Sequence, residues 1–133
     1  MADKIKFIIP GKPEYMTMVR LSIGSVADVA GFNLDEVEDI KTAVGEACKM
    51  ITCHGYTGWA EEYTIECLVE DDSLEIYVKD TSTNHLVEKL GRMCADCPNE
   101  GDLGIFVIRS LMTQVELIDN PEGKKIIKMV KTK

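Results

Sequence analysis

The sequence predicts an α/β (α+β) fold, a two-layer sandwich in which helices cover one face of a mixed, mainly antiparallel sheet. Three observations predict it. The apolar period is helical from about Met16 to Cys53 and switches to two between Tyr63 and Val78. The segments follow the order β-α-α-β-β-loop-α-β-β, which segregates helices from hairpins. The chain has 133 residues, 45% of them hydrophobic, enough for one core and one domain spanning 1–133.

Ile5 to Ile9 is a short β-rich run closed by Pro10-Gly11. Pro13 and Glu14 then open a helix, the first because its missing N–H is harmless there, the second because its charge suits the helix dipole. Met16, Val19, Ile23, Val26 and Ala30 recur at three and four residues and form its buried stripe, and Gly31 stops it. Asn33 or Asp35 caps a second helix, whose core stripe is Val37, Ile40, Val44, Ala47 and Ile51 and whose end falls near His54-Gly55. Tyr63, Ile65, Cys67 and Val69, a turn at Asp71-Asp72-Ser73, then Leu74, Ile76 and Val78 make a hairpin with one buried face. Residues 81–101 hold no sustained period, and a connection of that length is more often a lid than filler. A third helix turns Ile105, Ile108, Leu111 and Met112 inward. A last hairpin pairs Val115 and Leu117 with Ile126, Ile127 and Val130 through Asn120-Pro121-Glu122-Gly123. No internal repeat or low-complexity segment interrupts this order.

Composition removes several classes. A formal net charge of −8 argues against a nucleic-acid surface, which needs clustered Lys and Arg. The one basic cluster, Lys124, Lys125, Lys128, Lys131 and Lys133, reads as protection of a terminal edge strand. There is no signal-peptide core after Met1 and no membrane-length apolar run, so a cytoplasmic protein is expected, with no membrane partner. Five cysteines, an odd number, fit a reducing compartment better than a disulfide framework.

Four segments line up as a site. Asp39, Ala43, Glu46, Met50 and Cys53 form a stripe on the second helix about 100° from its core stripe, expected to face out of the core. Asp80 ends a strand where the long loop begins. Gly101-Asp102-Leu103-Gly104 opens the third helix, and a glycine-bearing helix start offers free N–H groups to phosphate. Taken singly, Glu46 and Asp80 also read as a solvated helix carboxylate and a turn residue. Together with the loop they would enclose a nucleotide. Arg20 is the only charge between Glu14 and Asp28, and is either solvated or an interface anchor.

The chain resembles the anti-sigma-factor serine kinases of Gram-positive bacteria, which share their ATPase superfamily with histidine kinases, gyrase, the Hsp90 chaperone and the MutL repair protein. The matching words are Ile-Pro-Gly-Lys-Pro-Glu-Tyr from Ile9, Arg20, Leu34 to Val44, Glu46-Ala47-Cys48, His54-Gly55-Tyr56, Asp80, and Gly104 to Ile108. The resemblance implies a histidine-kinase-like ATPase (Bergerat) fold with a lid loop at about 81–101. It implies Glu46 as the general base for a serine on an antagonist protein, Asp80 as the adenine contact, and Gly101 and Gly104 as phosphate ligands. It also implies Arg20 as a contact to a sigma factor and to the anti-anti-sigma antagonist, in a homodimer.

Five departures from that pattern point to impaired or lost ATP binding. Met50 stands where the resemblance implies an Asn that ligates Mg²⁺, and a thioether is a poor ligand for a hard cation. Ser82 replaces a glycine beside the adenine contact. Asp102 replaces the first phosphate-loop glycine, and its repulsion of a phosphate charge at ~4 Å is about 4 kcal/mol before screening at an effective dielectric near 20; Gly101 restores the turn if it shifts by one residue. Lys125 replaces a Thr after the last hairpin's glycine. The lid word Asn99-Glu100 lacks an arginine, with Arg92 some way upstream. Phosphoryl transfer rests on positioning and charge neutralisation, so losing metal ligand, phosphate turn and lid arginine together predicts a degenerate kinase acting as a protein-binding regulator. The first alternative is a working ATP- and Mg²⁺-dependent protein serine kinase. The second is a zinc or thiol sensor, because Cys94-Ala-Asp-Cys97 has the spacing of half a zinc site, with Cys53 and His54 on the helix facing the lid. His54 alone reads more simply as a helix-end residue bonded to backbone, and Cys48 and Cys67 as small core residues.

Overall fold

The computed structural model describes residues 2–51, 62–80, 103–119 and 125–133. The elements are β1 (Asp3–Pro10), a 3-10 turn (Pro13–Tyr15), α1 (Met16–Val29), α2 (Leu34–Ile51), β2 (Glu62–Val69), β3 (Ser73–Asp80), α3 (Leu103–Leu111), β4 (Gln114–Asp119) and β5 (Lys125–Thr132). The five strands form one sheet in the order β1-β2-β3-β5-β4. All four pairings are antiparallel, as expected of a two-layer α+β architecture.

Local chemistry sets the helix boundaries. Gly31 ends α1 with φ +93°, and the Phe32 N–H reaches back to the Ala27 carbonyl at 3.2 Å while Phe32 packs into the core. Asn33, not Asp35, caps α2. Its Oδ1 accepts from the Glu36 N–H at 2.9 Å, and its own N–H donates to Glu36 Oε1 at 3.0 Å, a reciprocal pair that satisfies two donors at once. One core lies between the layers. Ile65, Ile76, Val78, Ile127 and Met129 of the sheet are fully buried against Val19 and Ile23 of α1, Ile40 and Val44 of α2, and Ile105 and Ile108 of α3. In β5 the inward residues are Ile127 and Met129; Ile126 and Val130 are only half-buried, on the other side of the strand.

The outer face of the sheet is a charge ladder. Register places Lys6, Glu66, Tyr77, Lys128 and Glu116 in one row across all five strands. Lys79 Nζ donates to Glu66 Oε1 at 2.7 Å, Lys128 Nζ lies 3.5 Å from Glu75 Oε1, and both ammonium groups sit within 6 Å of the Tyr77 ring centroid. A face so laced with both signs is solvated, and needs no second sheet.

The C-terminal lysines do not guard an edge. β5 pairs with β3 on one side and β4 on the other, because β5, not β4, takes the place beside β3 in the sheet. Lys131 reaches from β5 to the Leu111 carbonyl at the end of α3 and lies 3.7 Å from Asp39 Oδ2. It thus binds the negative end of one helix and the side of another. Lys133 sits over the Phe32 ring at the α1–α2 turn, its Nζ 5.7 Å from the centroid. The edge strands are β1 and β4, and on β1 the interruptions expected at an edge are Lys4, Lys6 and Pro10.

Candidate functional site

The α2 stripe does not face out of the core. Ala43 is fully buried and Met50 is 5% exposed, because α3 packs along this side of α2. A stripe 100° from one buried face is open only if no second element covers it. Here one does, and its start is where the contact is tightest. A Cβ placed on Gly104 would lie 2.6 Å from Met50 Sδ and 3.1 Å from Met50 Cγ, so any larger residue there forces the Met50 side chain to shift. Glu46, one turn earlier on α2, stays about one-third exposed. Its Oε2 lies 3.7 Å from the same Cβ position, and its Oε1 is 3.9 Å from Lys49 Nζ. Asp39, two turns before Glu46, is half-buried and takes the ion pair with Lys131.

Glu46, Met50 and Gly104 therefore meet at the α2–α3 junction. Asp80 closes β3 opposite Tyr63, with the strand parity of Leu74, Ile76 and Val78. Lys125 opens β5 opposite Asp119. Ser82, Gly101, Asp102, Arg92, Cys53, His54, Cys94 and Cys97 lie outside the described residues. Among the described residues no three of His, Cys, Asp and Glu group as a metal site. At the α2–α3 junction Glu46 offers oxygen and Met50 a thioether, so residue 50 does not fit the part of a Mg²⁺ ligand.

Arg20 leads to a second contact that sequence reasoning missed. A Cβ on Gly45 of α2 would lie 3.0 Å from Arg20 Nε and 3.1 Å from Nη2. One turn along, a Cβ on Gly24 of α1 would lie 3.0 Å from Lys41 Cδ. The two helices thus exchange the same device in opposite directions, each laying a long cationic side chain across the other's glycine. Arg20 precedes Gly24 by four and Lys41 precedes Gly45 by four, but spacing within one helix does not say which side chain crosses the other. Below Arg20 lies a buried cluster in which the Tyr63 hydroxyl donates to Met16 Sδ at 3.6 Å and bonds to the Cys48 thiol. Burial pushes Cys48 up to about 12, against the smaller opposing effects of Tyr63 and the Arg20 charge, and pushes Tyr63 above the usual phenol range. Cys48 is an inert core thiol, as its sequence suggested.

Residues 9–131 match the model of the histidine kinase-like ATPase domain. The chain belongs to this family. Within it, the chain is 36% identical to the serine-protein kinase RsbW of Listeria monocytogenes, over 96% of its own length and 86% of that protein's. It is 35% identical to the serine-protein kinase RsbW of Bacillus cereus, over 94% of its length and 82% of that protein's. The resemblance carried by Glu46-Ala47-Cys48, Asp80 and Gly104 to Ile108 is therefore one of family, in the anti-sigma serine kinase branch. Against that family background, Met50 under Gly104 is the feature of the α2–α3 junction that most needs a functional account.

Proposed function

We propose that this chain is an anti-sigma-factor-like regulator that acts chiefly by binding proteins, a sigma factor and an anti-anti-sigma antagonist, with Mg²⁺-ATP binding impaired or lost. In this reading it works in the cytoplasm as a homodimer, and Arg20 on α1 is the partner contact. Membership of the branch whose relatives are named serine-protein kinases supports the lineage. No described helix is long and apolar enough to cross a membrane.

The observation that carries the proposal is the Met50–Gly104 contact. A buried thioether fills the junction between Glu46 and the start of α3, where the family resemblance calls for an oxygen donor to a hard cation. The test is calorimetric titration of the metal-stripped protein with ATP in the presence of Mg²⁺. No binding up to millimolar ATP is expected; micromolar binding would overturn the reading. Met50→Asn supplies the missing amide, and a gain of Mg²⁺-dependent affinity in that variant would place the defect at residue 50.

Catalysis is the second reading, favoured by the partial exposure of Glu46 beside the α3 start. Glu46 would then accept the proton of a serine hydroxyl on the antagonist, with Asp80 on adenine and Gly101 and Gly104 on phosphate. Phosphate transfer to a purified antagonist, lost in Glu46→Gln, would establish it.

A further inference from the structure

We infer that Gly45 is a positioning residue, whose missing side chain fixes the Arg20 guanidinium in the pose that meets an acidic group on a protein partner. This rests on the partner-binding reading of Arg20.

Gly45 stands in the interior of the 18-residue helix α2, where glycine is less favourable than alanine. Something must offset that, and the contact shows what. The three atoms nearest to a Cβ at 45 are Arg20 Nε, Nη2 and Cζ, at 3.0, 3.1 and 3.5 Å. The Nε–Nη2 edge of the planar group therefore lies against α2 at Gly45, and Nη1 is the nitrogen farther from it. Arg20 remains exposed, so its far end is accessible while its near edge is braced. An unbraced arginine loses rotamer entropy when it docks, and a guanidinium already held in place loses less. A carboxylate is the natural counterpart, because the fork geometry of arginine matches its two oxygens. The mirrored contact at Gly24 supplies a control. There the side chain held is Lys41, already paired with Glu38 Oε2 at 3.0 Å. Alanine at 24 disturbs the same helix crossing with Lys41, and not Arg20, as its nearest neighbour.

The experiment compares wild type with Gly45→Ala, Gly24→Ala, Arg20→Ala and the double variant Arg20→Ala/Gly45→Ala. Phenylglyoxal, which attacks guanidinium groups, reports the pose through the rate of adduct formation at Arg20, read by peptide mass spectrometry with Arg109 as internal reference. Recognition is read as affinity for purified sigma factors and antagonist proteins encoded in the same genome. Arg20 is expected to react faster in Gly45→Ala and at the wild-type rate in Gly24→Ala. Gly45→Ala should unfold at or above the wild-type temperature, since alanine favours helix. Its partner affinity should fall about tenfold, comparable to Arg20→Ala, and the double variant should be no weaker than Arg20→Ala alone. An unchanged adduct rate in Gly45→Ala overturns the positioning. A raised rate with undiminished partner affinity overturns its part in recognition. If wild type binds none of these proteins, the partner reading itself falls, and this inference with it.

Discussion

Glu66 accepts its hydrogen bond from Lys79 on the outer sheet face, and that bond, with the nearby charges of Lys79, Lys4 and Lys6, holds its carboxyl below the ordinary value of 4.5. A carboxylate whose folded value is depressed stabilises the protein above its unfolded value and loses that contribution as pH falls through the folded one. Glu66→Gln is therefore expected to lower stability by about 0.5–1 kcal/mol at neutral pH and to match wild type in strong acid, as denaturant titrations at several pH values would show. The opposite sign applies to Cys48 and Cys67, which burial pushes from 9.0 up to about 12, so their contribution fades only as pH rises through that window. At this scale the sequence was readable where chemistry is local. Asn33 and Asp35 both had capping side chains, each with a glutamate three residues on, and it is the Asn33–Glu36 pair that forms. Gly24 and Gly45 were not readable in that way. A lone glycine in a helix looks like a weak point until the side chain across from it is known.

Between elements, the α2–α3 junction depends on one pair of residues that fit only together. Gly104→Ala sets a methyl 2.6 Å from Met50 Sδ, and because Met50 Cγ is also within 3.1 Å, turning the terminal methyl alone does not relieve it. We expect Gly104→Ala to destabilise the protein by about 1–3 kcal/mol. In a Met50→Ala background the same change should be neutral or stabilising, since the clash is gone and the helix gains an alanine. A double-mutant cycle by chemical denaturation would give a coupling of about 1 kcal/mol or more; additivity would mean that α3 does not rest on Met50. The side of α2 that bears Met50 was legible as a distinct stripe but not as a covered one. Within α2 its apolar members are Ala43 and Met50, too few to outweigh Asp39 and Glu46 in a periodicity. What decided the matter was the arrival of α3 from more than fifty residues away, at a glycine, which no local pattern records.

For the molecule as a whole, the fold class followed from the change of apolar period and the order of segments, and the sheet bears it out. Strand order did not follow. Hairpins pair neighbours in sequence, so β2 with β3 and β4 with β5 were evident, whereas the β3–β5 seam joins segments with a helix and the long connection between them. The lysines of β5 suggested an edge, but on an inner strand they serve as ties to α2, α3 and the outer face. The seam is testable through two adjacent isoleucines. Ile127 is fully buried and Ile126 only half-buried. Ile127→Ala should lower stability by about 2–5 kcal/mol and Ile126→Ala by much less, measured by the same denaturation; equal effects would contradict the register.

The inner place of β5 also has a consequence for how the protein is made. During synthesis, β3 leaves the ribosome with its free edge bare, and β5, the strand that will cover that edge, follows only after α3 and β4, several seconds later at ordinary rates. For that interval the strands available to pair are β1, β2 and β3, with Ile76 and Val78 beside an unpaired border. Such a border is a template for the wrong strand, from a neighbouring copy as readily as from its own. Whatever protects that border acts on the growing chain and not on the folded molecule, in which β5 already covers it.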